Sequence, residues 1–253
     1  MLSQQRSRND VLAALEKLPS SLDETYRDIL ERISKQSEVD YSLARKVLGW
    51  ITYSKEPLKA KALQHVIAIK PNATTLEDGD LTDVEDLVSV CAGIVTIDRE
   101  SGIVRLVHYT TQRYLEERLG YPKIDIARGC LNYLGLEVFR EPCDCQDGSE
   151  ILKARVADYP FLGYAAMYWS DHIRGNLEDE LQHECLGVFE WQGLRDSICQ
   201  IQYLLAHRRV QNYARERSPL HMFAWSGLTT LCHLLLGEGV RSNHMYIYEK
   251  FGR

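Results

Sequence analysis

The chain has 253 residues, of which 45% are hydrophobic and 26% charged, and these proportions exclude a disordered or fibrous protein and predict one or two globular domains. The formal net charge of -6 excludes a global positive field that would attract nucleic acid or an anionic membrane. No apolar stretch approaches the roughly 20 residues that cross a bilayer, and the start MLSQQRSRND lacks the apolar core of a signal peptide. Seven scattered cysteines are typical of reduced thiols, so we expect a cytosolic or nuclear protein and assign it to the cytoplasm.

The segment NDVLAALEKL is predicted to form a helix that ends before Pro19, and three more helices are predicted between there and residue 70. The first of these three begins at Ser21, because Ser21 and Glu24 have the spacing of a capping box. Its apolar residues recur at helical intervals: Leu22, Tyr26, Ile29, Leu30 and Ile33. The run YSLARKVLGWITYS predicts a second helix with the buried face Leu43, Ala44, Val47, Leu48 and Ile51, and Trp50 widens that face. Pro57 breaks the second helix, and KALQHVIAI predicts a short third one.

The next segment predicts a helix, a hairpin and another helix. Thr82 and Glu85 have capping-box spacing, and the helix that they begin ends at Gly93. Two β-branched runs, 93–98 and 102–107, flank a turn and predict a β-hairpin. Either Thr110 or Thr111 then caps a further helix, with Tyr114, Leu115 and Leu119 facing inward. Three helices, a hairpin and a following helix are the elements of a winged-helix domain. From Ile124 onward the pattern is helical, apart from the polar loop EPCDCQDGSE.

Four ordered segments carry a resemblance to a known family: LPSSLDETYRDILERI, ITYSKEPLKAKALQHVIAI, RLVHYTTQRYLEERL and DYPFLGYAAMYWSDHIR. Together they resemble fungal signal-transducing NTPases of the NACHT class, which are STAND-type relatives of animal and plant nucleotide-switch immune receptors. The resemblance covers roughly residues 10–210 and concerns the part that follows the NTPase core. It implies the end of a helical subdomain, a winged helix of the type also found beside GPI inositol-deacylase-like proteins, and a second helical domain.

The tail shows a second resemblance, to one 33-residue ankyrin unit. The matching residues are Ser218, Pro219, Leu220, His221, Ala224, Gly227, the leucines at 234–236, Gly239 and Asn243. Phe223 departs from the pattern, because a small residue usually stands there. A single repeat cannot bury its own face, and Phe251 falls where the next repeat would begin, so we expect the chain to end inside a repeat array.

The predicted fold is therefore mainly α-helical, with a small β-hairpin in a winged helix, followed by a helical domain and the start of an ankyrin array. We place the end of the NTPase-associated helical subdomain at 1–36, the winged helix at 37–122, the helical domain at 123–212 and the first ankyrin-type repeat at 213–253.

The family resemblance assigns a role to His108, which lies where the last winged-helix strand meets the next helix. In the family, a histidine at this place senses the phosphate of the bound nucleotide and holds the closed ADP state. An imidazole beside the exposed amides of a helix N-terminus can donate to phosphate oxygens. Plant and animal members follow this histidine with an acidic residue, whereas Tyr109 follows here. A histidine that merely closes a strand end is the alternative.

Other chemistry is weakly represented. The sequence has no phosphate-binding P-loop, so we expect no enzyme activity and no cofactor in this chain, and ADP or ATP is implied only through an NTPase domain outside it. Two cysteine-containing pairs lack typical zinc-ligand spacing: Cys143 with Cys145, and His183 with Cys185. The helix LTDVEDLVSVCAG carries three acids and no basic residue, which disfavours docking in a DNA groove. The spacing of Phe161, Tyr164, Ala165 and Tyr168 favours a core stripe over a ligand platform.

The sequence thus predicts a regulatory segment whose winged helix rests on an NTPase domain of the same polypeptide, while ankyrin repeats bind protein partners. We expect no nucleic-acid or membrane partner, and self-association on activation is possible in such a switch. Two alternatives stay open: a nucleotide-independent ankyrin scaffold and a DNA-binding winged helix.

Overall fold

The computed structural model describes residues 22–143, 149–207 and 215–241. These residues are mainly α-helical, as predicted, and contain one two-stranded antiparallel sheet. The helices are α1 (Leu22–Ser34), α2 (Glu38–Tyr53), α3 (Ala60–Ala68), α4 (Val84–Ser89), α5 (Tyr109–Arg118), α6 (Lys123–Leu134), α7 (Ser149–Asp158), α8 (Leu162–Ile173), α9 (Leu177–Glu180), α10 (Gln182–Phe189), α11 (Gln192–His207), α12 (Pro219–Trp225) and α13 (Thr229–Arg241). Short 3-10 turns lie at Asp78–Asp80 and Glu137–Phe139. None of the helices in the described ranges is long and apolar enough to cross a membrane.

Helices α2 to α4 and the hairpin that follows have the order of a winged helix. Strands β1 (Val95–Ile97) and β2 (Val104–Leu106) pair in antiparallel register. The backbone between α2 and α3 pairs with the hairpin on the β2 side. Val104 N–H donates to the Leu58 carbonyl and Ala60 N–H donates to the Gly102 carbonyl, each at 2.9 Å. Helix α2 packs against β2 and α5, α4 packs against β1, and α3 packs against α2 and α4. The order of these helices and the hairpin confirms the predicted winged-helix architecture.

The structure corrects several predicted element ends. The cap of α4 is Asp83 and makes no side-chain capping bond. The Thr82 carbonyl instead accepts from the Gln64 side chain at 2.8 Å, so a tertiary contact with α3 fixes this backbone. Both strands are shorter than predicted, because Gly93 and Gly102 have positive φ angles of 88° and 69° and belong to turns. Ser21 and the helix predicted before Pro19 lie outside the described residues, and α1 begins at Leu22 in them.

The helical domain continues the core of the winged helix. Helix α6 packs along α8, and the predicted aromatic stripe is confirmed as core. The Phe161 ring, which is fully buried, packs edge-on against Trp50 of α2 with ring centroids 5.2 Å apart. Gly129 of α6 permits this approach, since an added Cβ there would lie 2.6 Å from the Trp50 ring. The winged helix and the helical domain therefore share one hydrophobic core.

The last described elements, α12 and α13, form a helix pair joined by a tight turn at Gly227, where φ is +69°. Phe223 of α12 is fully buried, and its ring lies 5.6 Å from that of Phe189 and 6.3 Å from that of Trp169. The large side chain that departs from the ankyrin pattern thus fills a space in the helical domain. A helix pair is the local structure that the ankyrin resemblance implies, but one pair occurs in many helical folds, so the array stays a prediction.

Candidate functional site

His108 lies at the junction between β2 and α5 and is itself the N-cap of α5. Its Nδ1 accepts from the Thr110 backbone N–H at 3.4 Å and lies 2.8 Å from the Thr110 hydroxyl. That hydroxyl lies 2.6 Å from the Tyr26 hydroxyl of α1. The prediction that Thr110 or Thr111 caps this helix is therefore wrong, because the Thr110 hydroxyl joins His108 to Tyr26 and Thr111 is buried.

These bonds fix which nitrogen of His108 can meet a ligand. Because Nδ1 accepts an N–H, the proton of the neutral imidazole lies on Nε2. Nε2 has no hydrogen-bond partner in the part of the chain that the structure describes. The ring consequently presents one N–H donor away from its own helix, which is the group that a phosphate oxygen would accept from.

A cleft of about 280 Å³ lies beside His108. Its walls are residues 54–58, part of β2, and the first turn of α5 with Gln112. Three charged side chains line it: Lys55, Arg105 and Glu56. Arg105 pairs with Asp98 at 3.2 Å, and Glu56 accepts from the Tyr168 hydroxyl at 3.1 Å. Lys55 is thus the cleft cation for which the described residues provide no ion pair.

The surroundings of His108 are open to solvent. The side chains on either side of it are strongly exposed, Val107 at 61% and Tyr109 at 85%. The Tyr109 ring stacks on the imidazole with centroids 4.9 Å apart and planes at 26°. Tyr109 therefore adds apolar contact area beside the imidazole. An exposed apolar pair beside a polar donor is typical of a surface that another protein surface covers.

The helical domain holds one wall of the cleft in place. The backbone N–H of Lys55 donates to the Tyr164 hydroxyl at 2.9 Å, and that hydroxyl shares a hydrogen bond of 2.7 Å with Nε2 of His172. Burial lowers the pKa of His172 to about 4, with the Lys55 charge as the second cause, so the ring is neutral at pH 7. The sequence patterns did not predict these contacts of Lys55, Tyr164 and His172. The only local signal is the polar SKEP between two apolar helices.

Four of the predicted ankyrin residues, 218–221, come together at the start of α12, the leucines at 234–236 lie in α13, and Asn243 lies outside the described residues. The Ser218 hydroxyl caps the helix by accepting from His221 N–H at 3.3 Å, and Nδ1 of His221 accepts from Ser218 N–H at 3.3 Å. Pro219 occupies the first turn. Leu220 is half-buried, and Gly227 forms the turn after α12. Helix α13 extends to Arg241 and thus includes Gly239.

The candidate zinc cysteines are buried thiols where the structure describes them. Burial raises the pKa of Cys185 to about 12 and also raises that of Cys143, which disfavours the thiolate that binds zinc. Gln200 clamps the Cys143 backbone with two bonds of 2.9 Å. No cluster of three or more potential metal ligands occurs in the described ranges. Cys145 lies outside them, so the exclusion of zinc stays a prediction.

The third helix of the winged helix, α4, presents acidic side chains to solvent. Asp83, Glu85 and Asp86 are all exposed, and Val84–Ser89 contains no basic residue. DNA phosphates would be repelled along this helix. The absence of a nucleic-acid partner stays a prediction.

Comparison with known proteins defines the class of the first domain. Residues 30–121 match the family model described as the GPI inositol-deacylase winged helix domain, in agreement with the fold observed there. The chain therefore contains a winged-helix domain of the GPI inositol-deacylase type. It is also 27% identical over 200 residues to azaphilone pigments biosynthesis cluster protein L of Monascus ruber, across 71% of this chain and 40% of that protein. The chain thus spans about two-fifths of the length of this relative. No solved structure matches the chain.

Proposed function

We propose that this chain is the regulatory and protein-interaction segment of a NACHT-type nucleotide-dependent signalling switch. In this proposal the winged helix packs on an NTPase domain of the same polypeptide, and His108 donates to the phosphate of the nucleotide held by that domain. The segment itself performs no catalysis, and ADP or ATP is bound by the NTPase domain. The observation that carries the proposal is the outward Nε2–H of His108, which its own helix cap fixes in tautomer and orientation.

The charges and contacts around His108 fit this role. Lys55 supplies a positive charge in the same cleft, and the first-turn amides of α5 add partial positive charge. Exposed Val107 and Tyr109 supply apolar area for a covering domain. Since the cleft is open, a phosphate would be held firmly only when a second domain brings it there. The proposal therefore requires contact between two domains.

Hydrogen bonds connect His108 to α1, the helix that precedes the winged helix. Thr110 joins the imidazole to the Tyr26 hydroxyl, and Tyr26 is 7% exposed in α1. The family resemblance assigns α1 to the helical subdomain that follows an NTPase core. A displacement of α1 would thus disturb the hydrogen bonds that orient His108, which gives a physical route between nucleotide state and winged-helix position.

The test uses a longer polypeptide in which an NTPase domain precedes this segment. We expect His108→Ala to weaken ADP binding by about tenfold, because one charge-assisted hydrogen bond to phosphate is lost. Isothermal titration calorimetry measures this change. His183→Ala, at an exposed histidine of α10, is the matched control and should bind ADP normally. Equal ADP affinities for wild type and His108→Ala would remove the sensor role.

A nucleotide-independent scaffold is a second candidate, and the terminal helix pair favours it. Trp225 of α12 is 77% exposed and Leu236 of α13 is 52% exposed. Large exposed apolar side chains on a helix pair can contact the next repeat of an array or a protein partner. In this case the protein partners would bind equally well to wild type and to His108→Ala, with or without ADP.

A further inference from the structure

A second cavity, of about 480 Å³, lies where the winged helix meets the helical domain. It is lined by Tyr53 at the end of α2 and Lys55 just after it, by Lys123 at the start of α6, and by residues 171, 172 and 174–177 between the end of α8 and the start of α9. Lys55 lines both this cavity and the His108 cleft. The volume lies within the range of roughly 300–1,000 Å³ that is usual for small-molecule sites.

Positive charge is concentrated in this cavity although the chain as a whole is acidic. Three cations, Lys55, Lys123 and Arg174, line it together with one acid, Asp171. Arg174 satisfies that acid, since its guanidinium lies 3.1 Å from the Asp171 carboxylate. Neither lysine has an ion pair among the described residues, and Lys123 lies 5.4 Å from the centroid of the Tyr53 ring. Two positive charges from separate elements are thus available to one ligand.

His172 adds a neutral ring to the same cavity. The Tyr164 hydroxyl accepts from Lys55 N–H at 2.9 Å and lies 2.7 Å from Nε2 of His172. Burial keeps the pKa of this imidazole low, so the ring offers hydrogen-bonding capacity without charge. Tyr164 thus fixes the ring in a wall of the cavity that the two lysines also line.

We propose that this cavity binds a small phosphate-bearing anion. Two ammonium groups on separate elements, with the His172 ring in the same wall, suit a ligand with several acceptor oxygens and negative charge. The Tyr53 ring lies beside these donors and provides an apolar wall for the rest of such a molecule. Occupancy would join the end of α2 to α6 and α8, and so would fix the segment that also lines the His108 cleft. This site does not depend on the proposed NTPase partner.

The experiment titrates inorganic pyrophosphate into the chain itself and follows binding by isothermal titration calorimetry at low ionic strength. We expect saturable binding that Lys123→Gln weakens by about tenfold and Lys55→Gln/Lys123→Gln weakens further, because each change removes a charge-assisted hydrogen bond. Lys61→Gln makes the same charge change on exposed α3, outside the cavity, and should bind pyrophosphate as the wild type does. Lys123 is exposed, so its variant should fold normally, and circular dichroism checks this.

Three results would overturn the proposal. The first is an absence of binding up to about 10 mM pyrophosphate, which corresponds to negligible affinity. The second is an equal loss of affinity in Lys123→Gln and Lys61→Gln, because it would indicate attraction by overall charge alone. The third is binding that His108→Ala abolishes and Lys123→Gln leaves intact, because it would place the anion in the other cleft.

Discussion

The helical domain meets its two neighbours in different ways. Its junction with the winged helix is steric: an added Cβ on Gly129 of α6 would lie 2.6 Å from the Trp50 ring of α2. Its junction with the terminal helix pair contains buried charges bonded to backbone. Glu178, which is 2% exposed, accepts from Thr230 N–H at 2.8 Å at the start of α13.

Arg195 completes this second junction. It is 3% exposed and donates to the carbonyls of Phe189, Glu190 and Arg217 at 2.5, 2.8 and 2.6 Å. The difference between the junctions teaches which changes each can tolerate. The junction with the winged helix has no room for added atoms. At the junction with the terminal helix pair, removal of one charged side chain leaves several backbone groups without their hydrogen-bond partner.

The largest effect is expected from Arg195→Met at the charged junction. The substitution keeps much of the side-chain volume but leaves three carbonyls without their donor, so we expect the free energy of unfolding to fall by about 3 kcal/mol. Urea denaturation measures this value. Arg128→Met is the matched control, because the Arg128–Glu184 pair is partly exposed and should change stability by less than about 1 kcal/mol. A similar loss in both variants would contradict the distinction between the junctions.

A pH-dependent loss of comparable size is expected from His172, beside the steric junction. The folded-state pKa is about 4, below the usual 6.5, so the unfolded chain binds the proton first as the pH falls. Stability from this group is complete above about pH 6.5 and is lost between about pH 6.5 and 4, by roughly 3 kcal/mol at most. Urea denaturation at several pH values in this window measures the free energy of unfolding, which should change less steeply with pH in His172→Gln than in wild type. Parallel pH profiles would show that His172 is not the group responsible.

A smaller effect is expected from adding a methyl group at the steric junction. Gly129→Ala forces the Trp50 ring to move, and we expect a loss of about 2 kcal/mol in the free energy of unfolding. Gly187→Ala is the control within α10, because no atom lies within 4 Å of the added Cβ. That variant should be more stable than wild type by about 0.5 kcal/mol, since alanine favours helix. Thermal unfolding followed by circular dichroism compares the two, and equal stability changes would remove the steric explanation.

Local patterns predicted the elements better than the site. The stripe Leu43, Ala44, Val47, Leu48 and Ile51 predicted the position of α2, because helical spacing depends on residues within a few positions. His108 was identified through its place in a family pattern. Its role as a helix cap was missed, because a threonine two residues later matched the usual cap preference better.

By itself the sequence determined the mainly α-helical fold, the order of a winged helix and the acidic face of α4, since each follows from neighbouring residues. Only the tertiary structure decided that Lys55 serves two cavities, that Tyr164 fixes His172, and that Arg195 joins the terminal pair to the helical domain. The partners in the contact between Lys55 and Tyr164 lie 109 residues apart. Burial and hydrogen bonding of polar groups depend on such distant partners, which periodicity along the chain does not encode.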